Sequence, residues 1–165
     1  MDIRIIDFPE TKVAVLEHRG PPTLEHETIQ KLIAWRLENR LTTDRHHAYG
    51  VHYNDPRTTP PAEYHVDLCI SVEHEVLPNL QGVINKVIPA GRCAVVRHLG
   101  SRENVSAATY LYTDWLPNSG ETLRELPLGI QLLRHAGNAA HAAAAKPGLA
   151  TNSAPRSGWS WRPST

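Results

Sequence analysis

An internal repeat constrains this chain more than any other feature. Val13-Ala14-Val15-Leu16-Glu17-His18-Arg19-Gly20 returns eighty positions later as Cys93-Ala94-Val95-Val96-Arg97-His98-Leu99-Gly100. The register holds through the helical stretch after each copy, so that Trp35 falls opposite Trp115. Two copies of a small unit pack about a pseudo-twofold axis, and the cleft between them is a natural place for a ligand.

The 165 residues suffice for one domain with a real core. Charge is spread unevenly: every Asp and Glu lies at or before Glu125, and only Arg134, Lys146, Arg156 and Arg162 carry charge beyond it. Residues 1–125 thus hold 13 basic against 17 acidic side chains, and the net charge of zero is a cancellation. An acidic body is a poor platform for a phosphate backbone, so no direct nucleic-acid binding is expected. Cys69 and Cys93 lie in apolar runs without a CxxC and read as buried, reduced thiols. No apolar signal-like region follows Met1, and no apolar run approaches the ~20 residues that span a bilayer. A soluble, cytoplasmic protein without a membrane partner is expected.

Period-two runs predict strands over 3–7 and 12–18, with Pro9 between them, and over 49–54 and 64–72. The prolines of Asp55-Pro56-Arg57-Thr58-Thr59-Pro60-Pro61 make the connection between the latter two a stiff loop. Leu24, Ile29, Leu32, Ile33 and Arg36 predict a helix over 23–39, capped by Thr23, with Glu25 and Glu27 facing its dipole. The second copy predicts strands over 83–88 and 92–98. A helix capped by Ser101 or Asn104 follows to Leu116, where Pro117 and Asn118-Ser119-Gly120 stop it, then a strand over 126–134. The strand expected to close this copy, near 147, is replaced by Ala-rich sequence. Residues 136–165 lack acids and have few apolar side chains, so they read as a mostly disordered tail outside a domain of residues 1–135. Two accounts of that tail stand open: a low-complexity extension, or the product of a frameshift in a GC-rich gene.

Several stretches together resemble the GyrI-like small-molecule-binding family, which includes effector-binding domains of AraC-type and MerR-type regulators and gyrase-inhibitor-like proteins. They are Val13 to Gly20, Asn54 to Pro61, Val66-Asp67-Leu68-Cys69, Ile88-Pro89-Ala90-Gly91 and Trp115 to Gly120. The resemblance spans residues 1 to about 134 and implies an α+β fold. Two strand-helix-strand-strand modules would form a curved antiparallel sheet around a central cleft for lipophilic, often cationic or aromatic, compounds. The chain departs from the pattern where relatives carry a glutamate in the strand matching 127–134. Here that strand reads Pro127-Leu128-Gly129-Ile130-Gln131-Leu132. An Asp of the closing strand, matching Asp67 of the first copy, is also lacking.

Trp35, Tyr49, Tyr53, Tyr64, Tyr112 and Trp115 are the expected ligand-binding residues, with Tyr110 nearby, since ring faces suit flat or cationic compounds. The competing reading, strongest for Trp35 and Trp115, is core packing. Ten histidines include the dense group His46, His47, His52 and His65, but no CxxC or HExxH spacing supports a metal, and neither metal nor cofactor is expected. His18 and His98 share a repeat position and read as structural. Acid–base chemistry would fall to Glu17, Asp67 or Asp114, yet no nucleophile elbow, triad spacing or phosphate loop appears. A ligand-binding module, not an enzyme, is therefore expected. A gyrase-binding inhibitor is the alternative, and a hydrolase of strained rings a more distant one.

Overall fold

The alternating Ile and Val runs pair into a single ladder, and the helices cover only its outer surface. The computed structural model describes residues 2–99, 106–122, 128–133 and 139–145, the last two stretches through backbone and register. Its strands are β1 (Ile3–Phe8), β2 (Thr11–Arg19), β3 (Ala48–His52), β4 (His65–Ser71), β5 (Ile84–Ile88), β6 (Gly91–Leu99), β7 (Leu128–Leu133) and β8 (Ala139–Ala145). Helix α1 (Glu25–Glu38) joins β2 to β3, and α2 (Ser106–Tyr110) follows β6. The expected α+β order of strand, helix, strand, strand thus occurs in both halves.

All eight strands are antiparallel, in the order β1-β6-β8-β7-β3-β4-β2-β5. Exchanging β1–β4 for β5–β8 reverses this order and leaves it unchanged, so a pseudo-twofold axis runs between β3 and β7. The register agrees: Val13 stands opposite Lys86, and eighty positions on, Cys93 stands opposite Ile6. The axis passes at the pair Gly50 and Ile130.

The sheet cannot be flat. β1 and β2 lie six places apart in the ladder but are joined by Pro9 and Glu10 alone. Six flat strand spacings would cover about 29 Å, whereas that link reaches about 11 Å. Pro89 and Ala90 impose the same condition on β5 and β6. The ladder therefore curls until its ends approach, and the Phe8 and Tyr49 rings meet edge to face at 6.3 Å across the interior.

The outer surface carries two cores, one under each helix. Ala14, Leu16, Val66, Leu68 and Ile70 pack with Tyr64 and with Leu32 and Trp35 of α1. Ala94 and Val96 pack with Ala107 and Leu111, flanked by Ile3, Ile5 and Trp115. The alternate residues Val13, Val15, Val51 and Cys69 turn inward and pack with Tyr49, Tyr53 and Ile88.

Three local expectations differ from the structure. Thr23 does not cap α1: a 3₁₀ turn (Pro22–Leu24) precedes the helix, and its N-cap, Leu24, makes no side-chain cap bond. Proline, with φ already set and no N–H to lose, opens such a turn readily. Pro117 does not stop the second helix, which passes through a π-helical turn (Leu111–Trp115) into α3 (Leu116–Ser119) and ends at Gly120, φ +69°. The missing proline N–H breaks the i→i−4 ladder, and the wider turn absorbs the break. The expected caps Ser101 and Asn104 lie outside the described residues.

The third difference is the closing strand. β8 pairs with β6 on one side and β7 on the other, inside the segment read as a disordered tail beyond 135. Alanine favours strands weakly, so the run gave no strand signal; two ladder partners supply what propensity does not. Residues 146–165, the rest of that segment, lie outside the described residues.

Trp35 is 5% exposed. Trp35→Ala should lower unfolding stability by about 3–5 kcal/mol through the cavity it leaves, read from urea denaturation. A loss below about 1 kcal/mol would show that Trp35 does not anchor α1.

Candidate ligand site on the inner face

The curl divides the six expected aromatic residues rather than gathering them. Trp35 and Tyr64 belong to the outer core beneath α1, and Trp115 packs beside the equivalent core of the other half. The two tryptophans keep matching positions but do not face a shared hollow. Tyr64 is 1% exposed; its hydroxyl donates to Glu25 Oε2 at 3.0 Å and meets His52 Nδ1 at 3.2 Å. Tyr112 is exposed on the π-helical turn. Helical periodicity and duplication do not say which side of a sheet a ring occupies, and these four are core or surface.

Tyr49 and Tyr53 do meet on the inner face, over Val13, Val15, Val51 and Cys69. Phe8, which the sequence did not single out, joins them through Tyr49. Tyr53 lies flat on the His65 ring, with centroids 4.1 Å apart and planes 4° from parallel. Its hydroxyl donates to Asp67 Oδ2 at 2.8 Å, so one side chain is both wall and link to a charge cluster.

That cluster centres on Lys86, whose side chain is 6% exposed. Its ammonium donates to Glu17 Oε1 at 2.6 Å and to Asp67 Oδ2 at 2.7 Å. Asp67 is fully buried, and its other oxygen lies 3.2 Å from His65 Nε2. Glu17 keeps a third of its side chain exposed, with Arg19 Nε 3.5 Å from its second oxygen. Strand register produces the arrangement, since Glu17 stands directly opposite Asp67, and β5 runs along the other side of β2.

Burial draws the Lys86 ammonium down, but hydrogen bonds and charge from Asp67 and Glu17 carry it above its ordinary value. Burial likewise raises Glu17, and the hydrogen bond and charge of Lys86 outweigh it, leaving its carboxyl below the usual range. Burial lowers His65 against the pull of Asp67. Burial, then the Asp67 charge and hydrogen bond, push the Tyr53 phenol up. Two carboxylates, Glu17 and Asp67, are thus met by two cations, the buried Lys86 and the exposed Arg19.

Glu17, His65 and Asp67 bring ligand-type atoms within 4.8 Å of one another. The Lys86 ammonium already fills the space between the two carboxylates, which disfavours a cation there by like-charge repulsion. The other histidines of the dense group go elsewhere: His46 Nδ1 meets the Ser71 carbonyl at 2.8 Å, and His52 meets Tyr64. His18 bridges Thr28 and the Pro21 carbonyl. The side chain of His98 lies outside the described residues. An open hollow of about 420 Å³ at the β1–β2 link is bordered by Glu10, Lys12, Arg45 and Glu73 among others, and by none of the expected aromatics. Lys86 carried one legible signal: in the repeat it occupies the place of Ile6, on an otherwise apolar phase of its strand.

The model of the GyrI-like small molecule binding domain family matches residues 1–128. The probable transcriptional regulator YgiV of Escherichia coli (strain K12) is 38% identical over 130 residues, 78% of this chain and 81% of YgiV. The C-terminal domain of EcmrR has a similar fold, with a TM-score of 0.71 at 16% identity over 90% of this chain and 98% of that domain. In the EcmrR–DNA complex the chain spans only 58% of the EcmrR chain. SAV2435 bound to tetraphenylphosphonium matches with a TM-score of 0.59 at 8% identity, over 90% and 95% of the two chains. A hydrolase from Listeria innocua matches at 0.57 and 11% identity, over 87% and 90%. The structural likenesses, all under 25% identical, concern the fold alone. Among the described residues no helix is long and apolar enough to cross a membrane.

The depressed His65 value links stability to pH. The unfolded chain takes up a proton near the ordinary value of 6.5, while the folded protein resists it. The His65 contribution is therefore complete above pH 6.5 and is lost as pH falls below it. The urea midpoint should drop between pH 7 and pH 5, and less so in His65→Gln. Equal drops in the two proteins would remove His65 from the account.

Proposed function

This chain belongs to the GyrI-like small molecule binding domain family, and on that premise we propose that its inner face takes a lipophilic aromatic compound, cationic by preference. The observation that carries the reading is Tyr53: its ring lies in the apolar wall while its hydroxyl rests on the buried Asp67. An apolar wall with a few fixed polar groups is what a small-molecule site requires. The ring faces of Tyr49 and Tyr53 favour a positive ligand, and each good cation–π contact adds about 0.5–2 kcal/mol. The tetraphenylphosphonium held by SAV2435 has this chemistry and supports the choice of class.

Sensing or sequestering such a compound fits the relationship to YgiV, a probable transcriptional regulator. Binding without catalysis is the reading favoured here, because both inner-face carboxylates are engaged by Lys86 and neither is a free base. The acidic balance of residues 1–125 is the only feature that speaks for a gyrase partner, and it specifies no surface.

Isothermal titration with tetraphenylphosphonium should show saturable binding to the full chain. Tyr49→Ala should weaken it about fivefold to tenfold by removing one ring face, with the circular dichroism spectrum unchanged. Saturable binding that is indifferent to both Tyr49→Ala and Tyr53→Phe would place the ligand elsewhere.

A further inference from the structure

We infer that Lys86 is a specificity-determining residue of the inner face: its ammonium sits where the positive end of a ligand would otherwise be drawn, and so limits how strongly the site prefers cations. This rests on the ligand reading above and names what sets charge selection in that site.

Geometry carries the argument. Glu17 and Asp67 stand opposite one another on adjacent strands, and Lys86 donates to both at 2.6 and 2.7 Å. Without the ammonium, two carboxylates would face the interior beside Tyr53, the strongest attractor for a cation on that face. With it, and with Arg19 Nε 3.5 Å from the second oxygen of Glu17, each carboxylate has a cationic partner. Lys86 thus behaves as a resident competitor for a ligand cation.

Symmetry separates this role from simple architecture. The other half of the sheet builds the same strand junction with Ile6 opposite Cys93, where the first half has Lys86 opposite Val13. Arg97 and His141 take the register positions of Glu17 and Asp67. The scaffold therefore joins an edge strand to its neighbour without an ammonium, and the Glu17–Lys86–Asp67 arrangement belongs to one half only.

The test uses an isosteric pair of opposite charge, tetraphenylphosphonium and tetraphenylborate, titrated against the full chain by calorimetry. In Lys86→Met the affinity ratio of cation to anion should rise by about tenfold or more over wild type, because one unit of positive charge leaves a partly dry face. In Glu17→Gln, which keeps the Lys86–Asp67 pair, the ratio should fall by about tenfold. A purely structural role would change both affinities together and leave the ratio untouched. That result, in whichever variant keeps its fold by circular dichroism, overturns the inference while the ligand reading stands. Wild type that binds neither ion overturns the ligand reading, and this inference with it.

Discussion

Two dipeptide links decide the shape of this protein. Pro9-Glu10 and Pro89-Ala90 each join strands that stand six places apart in the ladder, and no flat sheet satisfies either. The curl they impose explains why Val13 and Val15 are completely buried on the face that carries no helix. The two faces of the sheet are covered differently, the outer by α1 and the second helix, the inner in part by the curl that brings Phe8 against Tyr49. Proline suits the link because its fixed φ removes conformations the short connection could not use.

Burial of Asp67 and Lys86 on the inner face raises the stakes for the charge each carries. A buried carboxylate persists only if it is paired and hydrogen-bonded, and Asp67 has three partners: Tyr53, Lys86 and His65. Among the described residues no buried side-chain nitrogen or oxygen is left without a partner. Lys86 also lies on β5, an end strand of the ladder. An inward-pointing charge on an edge strand blunts pairing with other chains, so the residue that organises the cluster also suits the edge it occupies.

Much of the fold was legible because its signals are local or repeated. The β-branched period-two runs located the strands of the first half, and the return of Val13–Gly20 as Cys93–Gly100 implied two equivalent halves. What escaped the sequence depends on partners far along the chain. Ala139–Ala145 is a strand because β6 and β7 flank it, and an alanine run offers no pattern from which to read that. Of the expected pocket, Tyr49 and Tyr53 were placed where rings meet on the inner face, while Trp35, Tyr64 and Trp115 went to the cores and Tyr112 to the surface. The strand residues were easier to place than the helical ones, because alternation along a strand fixes a face and bulk on a helix does not. Lys86 meets Asp67 only through two strand pairings, β5 with β2 and β2 with β4, and no spacing along the chain encodes both.

Symmetry of backbone and asymmetry of charge therefore coexist in one sheet. The pseudo-twofold axis at Gly50 and Ile130 relates the halves strand by strand, but only one half holds the Glu17–Lys86–Asp67 cluster. Eighty positions beyond Tyr49, Val51 and Tyr53 stand Gly129, Gln131 and Leu133, so the halves differ in side chains as well as in charge. The backbone alone would admit the proposed ligand in two orientations related by the half-turn; the charge cluster and the tyrosines, confined to one half, would make those orientations unequal in energy. The duplicated fold supplies a backbone alike in both halves, and side chains found in one half alone give it a direction.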